Sequence, residues 1–139
     1  MGKIILISLL IFSFTFQAKA KNFKAKYLKN YDGDTITVNL NCDIPLFCKK
    51  MSIRVNGIDT PEIKGNCDKE KILSKEAKYF VALQLKSHRE IDLRNCKKGM
   101  YFRLVCDVYY NDILLSQKLL NQKLAVKYDG GKKTKNWCN

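Results

Sequence analysis

The sequence predicts an α+β domain that is mainly β, on three observations. Two early segments and a third after residue 50 carry β-branched and aromatic residues, in places strictly alternating with polar ones. One long central stretch then places apolar residues at helical spacing. Two more strand-like runs and a short helical pattern complete the chain.

The first strands are expected at residues 23–30 and 35–40, flanking a turn at Asp32-Gly33. In the second, Ile36, Val38 and Leu40 alternate with Thr35, Thr37 and Asn39, so one face is apolar. A third strand is expected over 51–58. Ile53 and Val55 face one way there and Arg54 and Asn56 the other, which points Arg54 off the face that buries Ile53.

A helix is expected over 68–87, because Leu73, Ala77, Phe80, Val81 and Leu85 share one side while lysines occupy the opposite one, with Asp68 as its cap. Strands at 90–93 and 101–110 follow, joined by the basic turn Lys97-Lys98-Gly99. Asn111-Asp112 then turns the chain into a short helix at 115–122. The tail from Asp129-Gly130-Gly131 is polar, with Trp137-Cys138 as its packing group.

Residues 1–20 read as a signal peptide: Lys3 precedes an apolar run, and Ala18-Lys19-Ala20 ends in a small-x-small pattern cut after Ala20. The run is shorter than the roughly 20 residues a membrane-spanning helix needs, so no stable membrane association is expected after cleavage. Residues 21–139 then form one domain, exported to the periplasm or beyond the cell.

All six cysteines fall in that domain, which points to disulfides in an oxidising compartment. Zinc is the weaker reading, since there is no Cys-x-x-Cys pair and the single histidine, His88, lies at the end of the helical pattern, far in sequence from any cysteine pair. Six cysteines allow fifteen connectivities. Cys42 with Cys48 around Pro45, Cys96 with Cys106 across a hairpin, and Cys67 with Cys138 as a clasp on the C-terminus form one such set.

The formal charge of +13 becomes +11 once Lys3 and Lys19 leave with the signal. So large an excess favours polyanions through counterion release and steering. Solubility, or a lysine-biased composition, would give the same number without any partner.

Against this cationic background, carboxylates gather in two places. Asp32-Gly33-Asp34-Thr35 sits at a glycine turn, and Arg54-Val55-Asn56-Gly57-Ile58-Asp59-Thr60-Pro61-Glu62 sets an arginine and two carboxylates beside a proline-fixed turn. Alone, the first is a hairpin turn and Thr-Pro-Glu a helix start. Together they supply what gripping a metal ion and a phosphate requires.

These blocks, with Tyr101-Phe102-Arg103 before a strand and Leu119 through Leu124-Ala125 and Tyr128, resemble the thermonuclease (staphylococcal nuclease-like) family in order and spacing, over nearly the whole mature chain, from about residue 24 to 128. The resemblance implies a five-stranded OB-type barrel with two or three helices packed on it. It implies that Asp34 and Asp59, with the Thr60 carbonyl, hold one Ca²⁺, an ion suited to hard oxygen ligands. Arg54 and Arg103 would grip the scissile phosphate, and Glu62 would take a proton from the attacking water or orient it. Tyr101 and Tyr128 would contact phosphate or stack on a base, and Lys97 and Lys98 would add to the nucleic-acid surface. Asp32 is expected to cap its own turn. Met100 and Phe102 depart from the lysine and glycine common in the family, Lys123 replaces a helix-ending glycine, and a cysteine-bearing tail replaces the long C-terminal helix.

The expected activity is a monomeric, calcium-dependent endonuclease that hydrolyses DNA and RNA phosphodiesters with little sequence preference and leaves 3′-phosphate ends. An OB-type domain that binds single-stranded nucleic acid without cutting it is the alternative, though it would not need Arg54, Glu62 and Arg103 as a set. A basic protein that binds anionic envelope polymer is a third, and it would not need the carboxylates.

Overall fold

The computed structural model describes residues 21–139; the expected signal peptide, residues 1–20, lies outside them. In chain order the elements are β1 (Lys21–Asn30), β2 (Thr35–Leu40), the single-turn α1 (Pro45–Cys48), β3 (Met51–Val55), β4 (Ile58–Asp59), α2 (Asp68–Lys86), β5 (Ile91–Lys98), β6 (Leu104–Tyr110), β7 (Ile113–Leu114), α3 (Leu115–Asn121) and β8 (Val126–Lys127).

Five of the strands close into a barrel. β1 pairs antiparallel with β2 and β5, β2 with β3, and β5 with β6. β3 and β6 then close the ring in parallel, with Ile53 opposite Leu104 and Val55 opposite Cys106. This is the mainly β domain that the sequence predicts, in the OB-type barrel form that the family resemblance implies. Its interior takes the inward half of each alternation: Ile36 and Val38 of β2, Ile53 and Val55 of β3, Leu93 of β5 and Val108 of β6 are all buried. Helix α2 contributes Val81 and Leu85 to this core and α3 contributes Leu115 and Leu119.

Three local features differ from the sequence expectation. The predicted strand 51–58 breaks at Asn56-Gly57, where Gly57 takes a φ of +80°, and β4 leaves the barrel to pair with β8 instead. Helix α2 is capped by Cys67, whose Sγ accepts from the Glu70 amide at 3.5 Å, while Asp68 is its first helical residue rather than its cap.

The β5–β6 connection is also displaced. Lys97 and Lys98 do not form the turn; they remain in β5 opposite Val105 and Leu104. The turn falls at 99–103, closed by the Gly99 amide donating to Arg103 O at 2.8 Å, with Tyr101 and Phe102 at φ values of +54° and +55°. Two successive non-glycine residues in the left-handed region give no signal in a propensity reading.

The cysteines pair as Cys42–Cys48, Cys67–Cys138 and Cys96–Cys106, with Cα separations of 6.0, 6.0 and 4.3 Å, and no cysteine among the described residues is free. The last pair is buried across the β5–β6 hairpin, and Cys67–Cys138 fastens the C-terminal tail to the start of α2. Three bridges suit an oxidising extracellular or periplasmic environment. Among the described residues no helix is long and apolar enough to cross a membrane.

Candidate active site

The turn between β1 and β2 is built around Asp32. Its Oδ1 accepts from the Asp34 and Thr35 amides at 3.1 and 2.8 Å, the self-capping expected of it. Asn30 supports the same turn from beneath, donating to Asp32 O at 2.7 Å and to Lys78 O of α2 at 2.9 Å. Gly33 is required by space: a Cβ there would lie 2.8 Å from both Ala77 Cβ and Thr60 Cγ2.

This turn presses Asp34 against two other segments. Thr35 is opposite Arg54 in the β2–β3 register, which sets the Arg54 guanidinium in an ion pair with Asp34 Oδ1. The other oxygen, Oδ2, accepts from the Thr60 amide at 3.0 Å and hydroxyl at 2.9 Å. Burial pushes the Asp34 carboxyl up to about 7, aided by the charge of Asp32 and only partly offset by Arg54 and Thr60. Arg54 also reaches Ile58 O at 3.2 Å and Asp59 Oδ1 at 3.5 Å. Asp59 is fixed by the pairing of β4 with β8 and, like Asp34 and Thr60, is buried.

Arg54, Glu62 and Arg103 line one cleft of about 530 Å³, together with Tyr128, Lys97 and Lys133. The three proposed catalytic side chains, drawn from β3, the segment after β4 and the β5–β6 turn, therefore face a common space. Arg103 Nε is buried and without a hydrogen-bond partner among the described residues. A donor left in that state is costly unless a ligand satisfies it. Tyr128 stands with its ring centroid 5.9 Å from Arg54 Cζ and donates its hydroxyl to Gly131 O at 2.7 Å.

Not every expected residue joins this group. Lys98 lies outside the cleft lining, and Tyr101 is 85 % exposed on the displaced turn, beside it rather than in it. Phe102, at 96 % exposed, leaves Arg103 free to turn inward while the aromatic rings point to solvent.

Two residues that the sequence reading passed over touch the site. Glu70 accepts from the Glu62 and Asn66 amides at 3.2 and 2.9 Å and so fixes the backbone that carries Glu62. Its position three residues after the helix cap, as in a capping box, was the available signal. Gly65 makes room for it, because a Cβ there would lie 2.5 Å from Glu70 Cγ. The second is Lys133, whose ammonium is 2.8 Å from Asp59 Oδ1 and also bonds to Glu62 Oε1. Burial would lower its pKa, but the bonds to Asp59 and Glu62 outweigh that and raise it.

Among the described residues the set of His, Cys, Asp and Glu donors gathered closely enough for a metal is Cys67, Glu70 and Cys138; the two sulfurs are joined to each other and so are not free ligands.

The family profile described as staphylococcal nuclease homologue matches residues 52–137, which takes in Arg54, Asp59, Thr60, Glu62 and Arg103. A curated relative, the probable endonuclease lcl3 of Schizosaccharomyces japonicus, is 34% identical over 87 residues, covering 58% of this chain. The match spans 37% of that relative's length. With the barrel closed as described and the profile covering more than half of its length, this chain belongs to the staphylococcal nuclease homologue family.

Proposed function

We propose that this protein is an exported, calcium-dependent endonuclease, acting as a monomer, that hydrolyses DNA and RNA phosphodiesters with low sequence specificity and leaves 3′-phosphate ends. The observation that carries this reading is the convergence of Arg54, Glu62 and Arg103 on one cleft, with the Arg103 Nε donor lacking a partner among the described residues. The +11 charge left after the signal is removed brings polyanions to such a cleft.

The donor types behind Arg54 suit a hard cation. Asp34 and Asp59 offer carboxylate oxygens, Thr60 offers a carbonyl, and no thiol or imidazole competes. Burial raises the Asp34 pKa, with the Asp32 charge adding to it, so a cation at this carboxyl would favour its charged form; the Lys133 ammonium already stands on Asp59. When bound, Ca²⁺ would supply positive charge beside the phosphate.

The chain's own groups account for the remaining chemistry. Arg54 and Arg103 bind the phosphoryl oxygens with forked donors, which also stabilises the charge added in the pentacoordinate transition state. Glu62, on a backbone held by Glu70, takes the proton of the attacking water or orients it. Tyr128 and Lys97 border the path of the strand, with Lys98 and Tyr101 further out.

Incubating residues 21–139 with single-stranded DNA, with calcium or with chelator, tests the reading. Cleavage is expected with calcium and none with chelator. Binding without cleavage under both conditions would favour the non-catalytic OB-type binder.

A further inference from the structure

The tail is anchored at both ends. At its start Tyr128 Oη donates to Gly131 O at 2.7 Å, the Gly131 amide donates to Asp129 Oδ1 at 2.9 Å, and Gly130 takes a φ of +98°. At its end Trp137 is buried, Cys138 is bonded to Cys67, and Lys69 Nζ donates to Asn139 O at 2.7 Å. Between these anchors three lysines follow different courses. Lys132 is exposed, Lys135 lies 5.4 Å above the Trp137 ring, and Lys133 turns inward.

Lys133 ends on Asp59, whose side chain is 5 % exposed, and on Glu62. An ion pair with one buried carboxylate differs from a solvated surface pair, because the carboxylate cannot exchange its partner for water freely. The Asp59 Oδ1 atom that meets the ammonium belongs to a residue expected to ligate a divalent cation, and ammonium and cation repel one another at that distance.

We propose that the tail is a strap carrying a built-in, displaceable cation: Lys133 holds Asp59 and Glu62 in the metal-free protein, and a divalent ion binds only by expelling it. This rests on reading Asp34 and Asp59 as the metal site. The strap therefore weakens calcium binding, and expulsion of Lys133 frees Glu62 in the same event. Metal entry and release of the proton acceptor are coupled through one side chain.

Calorimetric titration of Ca²⁺ tests this without any activity measurement. Lys133→Met is expected to bind calcium about tenfold more tightly than the natural chain, as loss of a partly buried ion pair on the competing state predicts. Lys133→Arg keeps the charge and is expected to stay near the natural value. Cys67→Ser with Cys138→Ser loosens the strap and is expected to shift affinity toward that of Lys133→Met. In chelator Lys133→Met is expected to melt slightly lower than the natural protein, because the ion pair weakens calcium binding only as far as it stabilises the metal-free fold, whereas Lys133→Arg should melt as the natural protein does. Equal affinity in the natural chain and Lys133→Met would overturn the proposal while leaving the metal site intact. Absence of calcium binding in every form would overturn the metal site, and the strap's role with it.

Discussion

Asp34 Oδ2 accepts both the amide and the hydroxyl of Thr60, at 3.0 and 2.9 Å, and this ties the β1–β2 turn to the segment after β4. Two stretches far apart in sequence are thus locked to one another. The carboxylate so held is buried, and burial raises its pKa from 3.8 to about 7.

A pH dependence of stability follows in the calcium-free protein. Between about pH 4 and pH 7 the folded state binds the Asp34 proton more tightly than the unfolded chain does. Stability is therefore full below the unfolded value and falls as pH rises through the folded one, by at most about 1.4 kcal/mol per pH unit. Urea denaturation across this range in chelator should show the decline, and Asp34→Asn should flatten it. A flat profile between about pH 4 and pH 7, with stability instead lost below about pH 4 in a way that Asp34→Asn abolishes, would show the carboxyl to be depressed.

Arg103 separates function from stability. Its Nε donor has no partner among the described residues, so Arg103→Met breaks no bond and removes a buried unsatisfied nitrogen. We expect nuclease activity to fall by about 10²–10³-fold while the melting temperature holds or rises. Thermal melting and cleavage rates on the same preparation check it; a large drop in melting temperature would mark Arg103 as structural.

Gly33→Ala tests the packing beneath Asp34 and Thr60, the proposed calcium ligands. The new Cβ would lie 2.8 Å from Ala77 Cβ and Thr60 Cγ2, so either α2 or Thr60 must move. A loss of about 1–3 kcal/mol is expected in denaturant titration, with weaker calcium binding than the stability loss alone explains. Calcium affinity unchanged from the natural protein would mean that α2 yields and Thr60 does not.

The Cys96–Cys106 bridge is buried across the β5–β6 hairpin at a sequence separation of 10, whereas Cys42–Cys48 closes a loop of separation 6. Replacing both cysteines of the first pair by alanine should cost about 2–4 kcal/mol, and the second pair less. Peptide mass mapping with and without reductant checks the pairing, and comparative unfolding checks the order.

Much of this was legible in the residues. Helix α2 carried a clear period and was expected within a residue of its observed end, and the alternation in 35–40 located β2. Arg54 was correctly turned off the core face because strand period alone decides that. What escaped depends on contacts distant in sequence or on unusual backbone. The β5–β6 turn moved because Tyr101 and Phe102 adopt positive φ, which residue type does not announce. Lys133 was hidden among tail lysines, because its inward course is set by a clasp between Cys67 and Cys138 and by a glycine turn.

The central claim is that Glu62 handles the proton of the attacking water while Arg54 and Arg103 hold the phosphate. The most direct measurement is the rate at which Glu62→Gln cleaves single-stranded DNA in saturating calcium, compared with the natural chain. A fall of about 10²–10⁴-fold in kcat with little change in KM is predicted. A kcat within about twofold of the natural value, a difference too small for a lost general base, would contradict the account.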